Sequence, residues 1–123
     1  MNLVDSSGWL EYLADGKNAK YFCDAIENTD ELLVSTINIY EVFKRILQQR
    51  DENSAIQAVA LLHQGFVIDI DSEIALMSGK ISIKYKIPLA DSMIYATAQK
   101  NNAVLLTQDV DFKGLPEVSY FKK

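Results

Sequence analysis

The sequence predicts an α/β fold in which a mostly parallel sheet of four to five strands is flanked by helices. Four short segments are apolar without alternation, which is typical of strands covered on both faces. The segments between them are long enough to hold the helices that connect parallel strands. Several of these connecting segments also carry apolar residues at helical spacing.

The predicted strands are all short. The first four contain uninterrupted runs of Leu, Val, Ile, Phe or Ala, and the fifth is weaker because polar residues interrupt it. In chain order, the strands are predicted at Leu3–Val4, Leu32–Val34, Phe66–Ile68, Ala103–Leu106 and Val118–Phe121.

The clearest helix is predicted between Ile39 and Leu47, where apolar residues recur at i, i+3, i+4, i+7 and i+8. The N-terminal region predicts a helical hairpin that is broken at Asp15–Gly16. The remaining predicted helices, the last of which starts after Pro88, are Trp9–Leu13, Tyr21–Ile26, Ser54–Gln64, Ser72–Tyr85 and Leu89–Lys100.

The composition predicts one compact domain that spans residues 1–123. Hydrophobic residues make up 49% of the chain, and only five Gly and two Pro leave little room for a linker or a repeat array. Twelve basic against 17 acidic residues give a net charge of -5, which excludes a broadly basic, nonspecific nucleic-acid binder. The charge does not exclude a nuclease, because a bound metal ion reverses the sign of the field locally.

The cysteine content and the N-terminal segment predict a cytoplasmic protein with no membrane segment. Cys23 is the only cysteine, so the chain has neither an internal disulfide nor a CxxC motif for zinc. The first five residues already include Asp5, and the longest purely apolar run, Ala58–Leu62, is far shorter than a membrane span.

Three acidic residues are predicted to reach one edge of the sheet, and Glu41 is a fourth candidate. Ligands of parallel sheets bind in the crevice beyond the carboxyl ends of the strands. Asp5 directly follows the first predicted strand, and Asp109 lies shortly after the fourth. Asp91 lies in the opening turn of the last long helix, and Glu41 lies in the early turns of the helix that follows the second strand.

Each of these acids also has a structural interpretation. Aspartate is common at strand ends and helix starts because its side chain caps backbone amides. The helical periodicity places Glu41 away from the apolar stripe, with Arg45 four residues on as a possible ion-pair partner. Ile37, four residues before Glu41, indicates that the helix has a second contact face. Lys44 and Arg45 are typical of a solvated helix face.

The order and spacing of the acids resemble the PIN-domain ribonucleases, in particular the VapC-type toxins of toxin–antitoxin pairs. The resemblance covers nearly the whole chain, and the Leu-Ala-Asp-Ser-x-Ile-Tyr-Ala-Thr-Ala stretch is its most specific part. The segments that carry it are Val4–Ser7, Ser35–Glu41, Ile87–Ala98 and Leu106–Phe112.

The resemblance implies a metal-dependent endoribonuclease that cleaves RNA phosphodiesters and is held silent by a cognate antitoxin. The acids implied as metal ligands and catalytic residues are Asp5, Glu41, Asp91 and Asp109, with Asp111 as a competing carboxylate. Such a cluster needs a counter-charge, and Mg²⁺ or Mn²⁺ prefers oxygen ligands and leaves positions for a phosphate and an attacking water. The resemblance also implies a homodimer. With an RNA substrate, contact with RNA phosphates becomes the alternative to a solvated helix face for Lys44 and Arg45.

Four hydroxyl residues lie beside these acids in the sequence. We expect them either to orient a ligand or a water molecule or to cap helices. They are Ser6, Ser7, Ser92 and Thr107.

Three other functions compete with this one. A phospho-acceptor receiver domain needs paired acids after the first strand and a lysine after the last, whereas Asp5 is followed by two serines and no lysine follows Leu106. A haloacid-dehalogenase-like phosphatase needs its aspartate pair after the first strand, whereas the pair Asp109 and Asp111 follows a late one. A PIN-like binding module without catalysis remains open, although all four acids are present.

Overall fold

A computed structural model describes residues 1–123 and has a five-stranded, all-parallel sheet at its centre. The strand order is β3-β2-β1-β4-β5, so β1 lies in the middle. All five predicted strands form, including the weak one, which pairs with β4 at the sheet edge. The strands are β1 (Asn2–Val4), β2 (Leu32–Ser35), β3 (Phe66–Ile68), β4 (Val104–Thr107) and β5 (Val118–Tyr120).

Six α-helices surround the sheet, and the six predicted helical segments all form. The third starts at Thr36, three residues before the predicted stripe, because Ser35 and Asn38 form a capping box there. The fourth starts at Glu52 because the Asp51 side chain accepts a hydrogen bond from the Ser54 amide. The helices are α1 (Ser6–Leu13), α2 (Ala19–Glu27), α3 (Thr36–Gln49), α4 (Glu52–Leu62), α5 (Ser72–Tyr85) and α6 (Leu89–Lys100).

The sheet has a hydrophobic core on each face, which explains why its strands are apolar without alternation. Neighbouring residues of β1 illustrate this, since Leu3 packs into one core and Val4 into the other. The Leu3 core is closed by α5 and α6, through residues such as Ile74 and Ile94. The Val4 core is closed by α1 to α4 and includes the fully buried Trp9.

The direction of the strand connections reverses around β1. Starting from β1, the chain moves outward through β2 and β3 on one side, and through β4 and β5 on the other. Such a reversal opens a crevice at the carboxyl ends of the strands. The first residues of α1 and α3 follow β1 and β2 directly, so both helices begin at this edge. None of the six helices combines the length and the apolar composition that crossing a membrane requires.

Candidate functional site

Asp5 is buried at the carboxyl end of β1, where it caps the start of α1. Its Oδ2 accepts hydrogen bonds from Ser7 Oγ at 2.6 Å and from Thr107 Oγ1 at 3.0 Å. Burial raises the pKa of Asp5 to about 6, since loss of water disfavours the charged form more than these two hydrogen bonds favour it. The carboxylates of Asp109 and Glu41 raise it further by repulsion.

Asp91 lies in the first turn of α6 and is half-buried. The cap position of this helix is occupied by Pro88, and the Asp91 carboxylate accepts no hydrogen bond from the protein. Burial raises the pKa of Asp91 to about 8, and repulsion by four other carboxylates adds to this shift. Those four carboxylates belong to Asp5, Asp109, Glu41 and Asp111. Asp91 therefore lies among all the other candidate acids and does not cap its helix.

Glu41 is half-buried and faces the same crevice. Its Oε1 accepts a hydrogen bond from Ser6 Oγ at 2.7 Å, and Ser6 Oγ accepts one from Asn38 Nδ2 at 3.0 Å. Asn38 is fully buried and is itself fixed, because its Oδ1 accepts a hydrogen bond from the Ser35 amide at 2.9 Å. A chain of buried polar groups thus orients the Glu41 carboxylate.

The solvated position that periodicity suggests for Glu41 is wrong, and the alternative ion pair with Arg45 does not form. The reason is that α3 packs on two sides. Val42 lies in the core on the α1 to α4 side, whereas Ile37 packs against the core on the opposite face of the sheet. Glu41, one helical turn beyond Ile37, is directed toward α6 and the other acids.

Asp109 follows β4 and caps a short 3-10 turn, Val110–Phe112. Its Oδ1 accepts a hydrogen bond from the Asp111 amide at 2.9 Å, and its own amide donates to Thr107 Oγ1 at 2.9 Å. One carboxylate oxygen each of Asp91, Asp109 and Asp111 lies within 4.8 Å of the others. The crevice, however, is lined by Asp109 and not by Asp111, which is exposed. Because a substrate has to enter the crevice, Asp109 is the better candidate for the fourth acid.

The donor set fits a hard divalent cation. The three side chains whose oxygens lie within 4.8 Å of one another belong to Asp91, Asp109 and Asp111, and Asp5 and Glu41 line the crevice beside Asp91 and Asp109. All five are carboxylates, and no histidine or cysteine lies among them. Two carboxylates about 5 Å apart repel each other by about 3 kcal/mol at an effective dielectric constant near 20. Burial first and repulsion by neighbouring carboxylates second raise the pKa values of Asp5 and Asp91, and a cation at this position would favour their charged forms. Mg²⁺ and Mn²⁺ are the ions that prefer such oxygen ligands.

Three of the four predicted hydroxyl residues contact the acids. Ser6 donates to Glu41, whereas Ser7 and Thr107 both donate to Asp5. Ser92 instead donates to the carbonyl oxygen of Pro88 at 2.8 Å, inside the start of α6. Its role is therefore confined to the local structure of that helix.

Sequence reasoning missed two residues that support the site. Asn38 occupies the N3 position of the α3 capping box, so its spacing from Ser35 was a usable signal for the cap but not for the contact with Ser6. Gln108 precedes Asp109 and accepts a hydrogen bond from Asn18 Nδ2 at 3.0 Å. These two residues are 90 positions apart, and no local pattern links them.

The crevice is a cavity of about 810 Å³ that is lined by both signs of charge. The four predicted acids line it, together with Glu11 and apolar side chains such as Leu10 and Leu61. It is also lined by Lys44, Arg45, Arg50 and Lys123. The acid cluster is therefore adjacent to a group of positive charges.

The Thr107 hydroxyl provides a direct test of how the site is held together. Thr107 is fully buried, and valine would remove both its bond to Asp5 and the acceptor of the Asp109 amide. We expect Thr107→Val to lower the free energy of unfolding by about 1–3 kcal/mol, as measured by denaturant titration. Thr97→Val is the matched control, since Thr97 is equally buried but only donates to the Met93 carbonyl within α6. Equal losses in the two variants would contradict the supporting role of Thr107.

The family model for the PIN domain matches residues 3–118 of the chain. No curated protein sequence matches this chain. Among solved structures, a toxin–antitoxin complex from Klebsiella pneumoniae is 26% identical, with a TM-score of 0.84 over 100% of both chains. VapBC-1 from nontypeable Haemophilus influenzae is 24% identical, with a TM-score of 0.73 over 98% of this chain and 96% of that one.

A third similar structure is that of VapC20 from Mycobacterium tuberculosis, described as a toxin that cleaves the sarcin-ricin loop. It is 13% identical, with a TM-score of 0.79 over 94% of this chain and 95% of that one. At this level of identity the likeness concerns the fold, and together with the family model it confirms the predicted parallel α/β architecture.

Proposed function

The chain belongs to the PIN-domain family, and from this membership we propose that it is a Mg²⁺- or Mn²⁺-dependent endoribonuclease and the toxin of a type II toxin–antitoxin pair. The observation that carries the proposal is the position of Asp91, half-buried among four other carboxylates and without a hydrogen bond of its own. Burying a carboxylate among others that repel it costs folding free energy, and such an arrangement is typical of a functional site. The similarity to a Klebsiella pneumoniae toxin–antitoxin complex supports the toxin assignment.

We assign the cation to Asp5, Glu41, Asp91 and Asp109, with Asp111 close enough to contribute. When bound, the cation would polarise the phosphodiester and make a water molecule more acidic. Three of these acids are oriented by the protein through one oxygen only. The hydrogen bonds go to Asp5 Oδ2, Glu41 Oε1 and Asp109 Oδ1, which leaves the second oxygen of each carboxylate available.

We assign proton uptake from the attacking water to Asp91. Both of its carboxylate oxygens are free of hydrogen bonds from the protein, unlike those of the other three acids. A base that is not already occupied by a donor is the best placed to accept a proton in the transition state. The three oriented acids would hold the cation. Asp91 would take the proton as the water oxygen bonds to phosphorus, and the oxygen released when the P–O bond breaks would take a proton from solvent.

Two protein partners belong to the proposal. The first is the antitoxin, for which Leu10, Leu13 and Leu61 offer an apolar part of the cavity beside the acids. The second is another copy of this chain. Leu76 and Ile83 lie seven residues apart on α5, and their side chains are 74% and 82% exposed on one face of that helix.

We expect the purified protein to cleave RNA in Mg²⁺ or Mn²⁺ and to stop when EDTA is added, because the proposed mechanism needs the cation to make the water acidic enough for Asp91 to deprotonate. The measurement is gel electrophoresis of end-labelled single-stranded and structured RNAs after incubation with each ion. Restoring excess Mg²⁺ after EDTA serves as the control and should recover cleavage. Cleavage that continues in EDTA would contradict the metal-dependent mechanism. No cleavage of any RNA would favour a PIN-like binding module instead.

A further inference from the structure

Helix α3 exposes an aromatic ring next to the acid cluster. Tyr40 precedes Glu41, lines the same cavity and is 59% exposed. No other aromatic ring packs against it. The Lys44 ammonium lies 5.6 Å from the centre of the Tyr40 ring and 3.4 Å from its hydroxyl oxygen. The structure therefore places an open aromatic surface and a positive charge together at the edge of the site.

The positive charges of this cavity have no acidic partner in a salt bridge within the protein. None of Lys44, Arg45, Arg50 and Lys123 forms a salt bridge, although the chain carries a net charge of -5. The ion pairs that do form join Met1 to Glu31 and Lys100 to Asp71 and Glu73, away from the cavity. Unpaired cations that gather in one cavity of an acidic protein indicate an anionic ligand.

The spacing along α3 relates these groups to the acids. Arg45 lies four residues beyond Glu41, which is about 6 Å along the helix axis, and Lys44 lies between them. Gln48 and Gln49 continue the polar lining of the cavity along the same helix. The α3 side chains that line the cavity are polar except for Ile46 and the ring of Tyr40. A strand with negative charges and flat bases matches both the cations and the ring.

We propose that Tyr40 stacks on an unpaired base of the RNA, while Lys44 and Arg45 bind the backbone phosphates next to the one that is cleaved. This inference rests on the proposed ribonuclease function and deepens it by naming the residues that would hold the substrate beside the acids. In a duplex the bases are stacked on each other and do not present a face to a side chain. We call Tyr40, Lys44 and Arg45 together the platform. Since stacking tolerates any base, the platform selects for unpaired structure more than for sequence.

The test measures RNA binding in EDTA, so its result does not depend on whether the protein cleaves RNA. Fluorescence anisotropy of labelled RNA is recorded in EDTA over a range of KCl concentrations, for a single strand and for the same sequence as a duplex. We expect the single strand to bind more tightly. Tyr40→Leu should weaken its binding about tenfold, whereas Tyr40→Phe, which keeps the ring, should stay within about twofold of the parent.

The salt dependence tests the two basic residues. Each lost phosphate contact to a single strand should reduce the slope of log K against log salt by about 0.7, and a merely structural defect does not produce this change. Lys44→Gln and Arg45→Gln should each show the reduction, whereas Tyr40→Leu should keep the parent slope. Lys20→Gln is the matched control, because Lys20 lies 5.2 Å from the Tyr21 ring outside the cavity and carries the same charge. It should leave both affinity and slope unchanged.

Three results would overturn the platform. They are a Tyr40→Leu protein that binds like the parent, a duplex bound as tightly as the single strand, and a Lys44→Gln protein that behaves like Lys20→Gln. If the protein cleaves RNA in Mg²⁺ and one of these results is found, the platform fails and the proposed function stands. If binding follows the expectation and no RNA is cleaved, the platform stands and the ribonuclease proposal fails.

Discussion

Replacing Asp91 by asparagine is expected to lower RNA cleavage by about 10²- to 10⁴-fold, the usual loss when a group placed for proton transfer is removed. The side chain keeps its size, and it accepts no hydrogen bond that the substitution would break. The protein should therefore remain folded. The measurement is the single-turnover cleavage rate in Mg²⁺ with enzyme in excess, together with the circular dichroism spectrum of the variant.

Asp30→Asn is the matched control for this loss. Asp30 is exposed in the turn before β2, at the opposite edge of the sheet, and its replacement makes the same chemical change. Its cleavage rate should equal that of the parent. An Asp91→Asn protein that is folded and cleaves at the parent rate would show that the acid cluster is not the site of the reaction.

The second expected result concerns stability without metal, where Asp91→Asn should stabilise the protein at pH 8. The folded-state pKa values of Asp91 and Asp5, about 8 and about 6, lie above the ordinary value of 3.8. Between pH 4 and 8 the folded state consequently binds more protons than the unfolded state, and these two acids cost stability progressively as the pH rises. Removing the charge at Asp91 removes its part of that cost.

We expect a gain of roughly 1 kcal/mol at pH 8 that disappears toward pH 4, because solvent reaches the half-buried Asp91 carboxylate and screens part of the repulsion. The measurement is the free energy of unfolding of parent and variant in EDTA at several pH values. Comparing the two proteins isolates Asp91, because acids away from the cluster, such as the helix cap Asp71 with its lowered pKa, contribute equally to the stability of both.

Added Mg²⁺ should make the parent more stable than the Asp91→Asn variant, which reverses the order of their melting temperatures. An ion that binds only the folded state stabilises it by about 1.4 kcal/mol when present at ten times its dissociation constant, which corresponds to a few degrees in melting temperature. The parent should gain this shift and the variant less. A metal-free Asp91→Asn protein that melts several degrees below the parent, with the same response to Mg²⁺, would show that Asp91 supports the fold and does not bind metal.

Much of this architecture was readable from local patterns. The strands were predictable because each lies between two cores, so that Leu3 and Val4 are both apolar. The acids after β1 and β4 were predictable as neighbours because parallel strands end at one edge. The order of the acids along the chain then indicated the family, which the match over residues 3–118 confirmed.

The orientation of Glu41 was decided only by the tertiary structure. A helical wheel measures a residue against one apolar stripe, whereas α3 packs against both cores and directs Glu41 to Ser6. The tertiary structure also decided the surroundings of Arg45. Its possible partner Glu41 accepts a hydrogen bond from Ser6 instead, and Arg45 lines the cavity without a salt bridge. A local pattern does not contain this information, since it depends on how many elements pack around the helix.

The sequence by itself thus determined the strands, the helices, the edge at which the acids meet and the family. Only the tertiary structure decided which carboxylate oxygens of the acids accept hydrogen bonds from the protein and which accept none. Thr107 bonds to Asp5 across 102 positions, and Ser6 bonds to Glu41 across 35. Such pairs depend on the register between parallel strands, Val4 opposite Leu106 for example, and on the packing of helices over them. Periodicity within one element carries no record of either, because it reports only which face of that element is apolar.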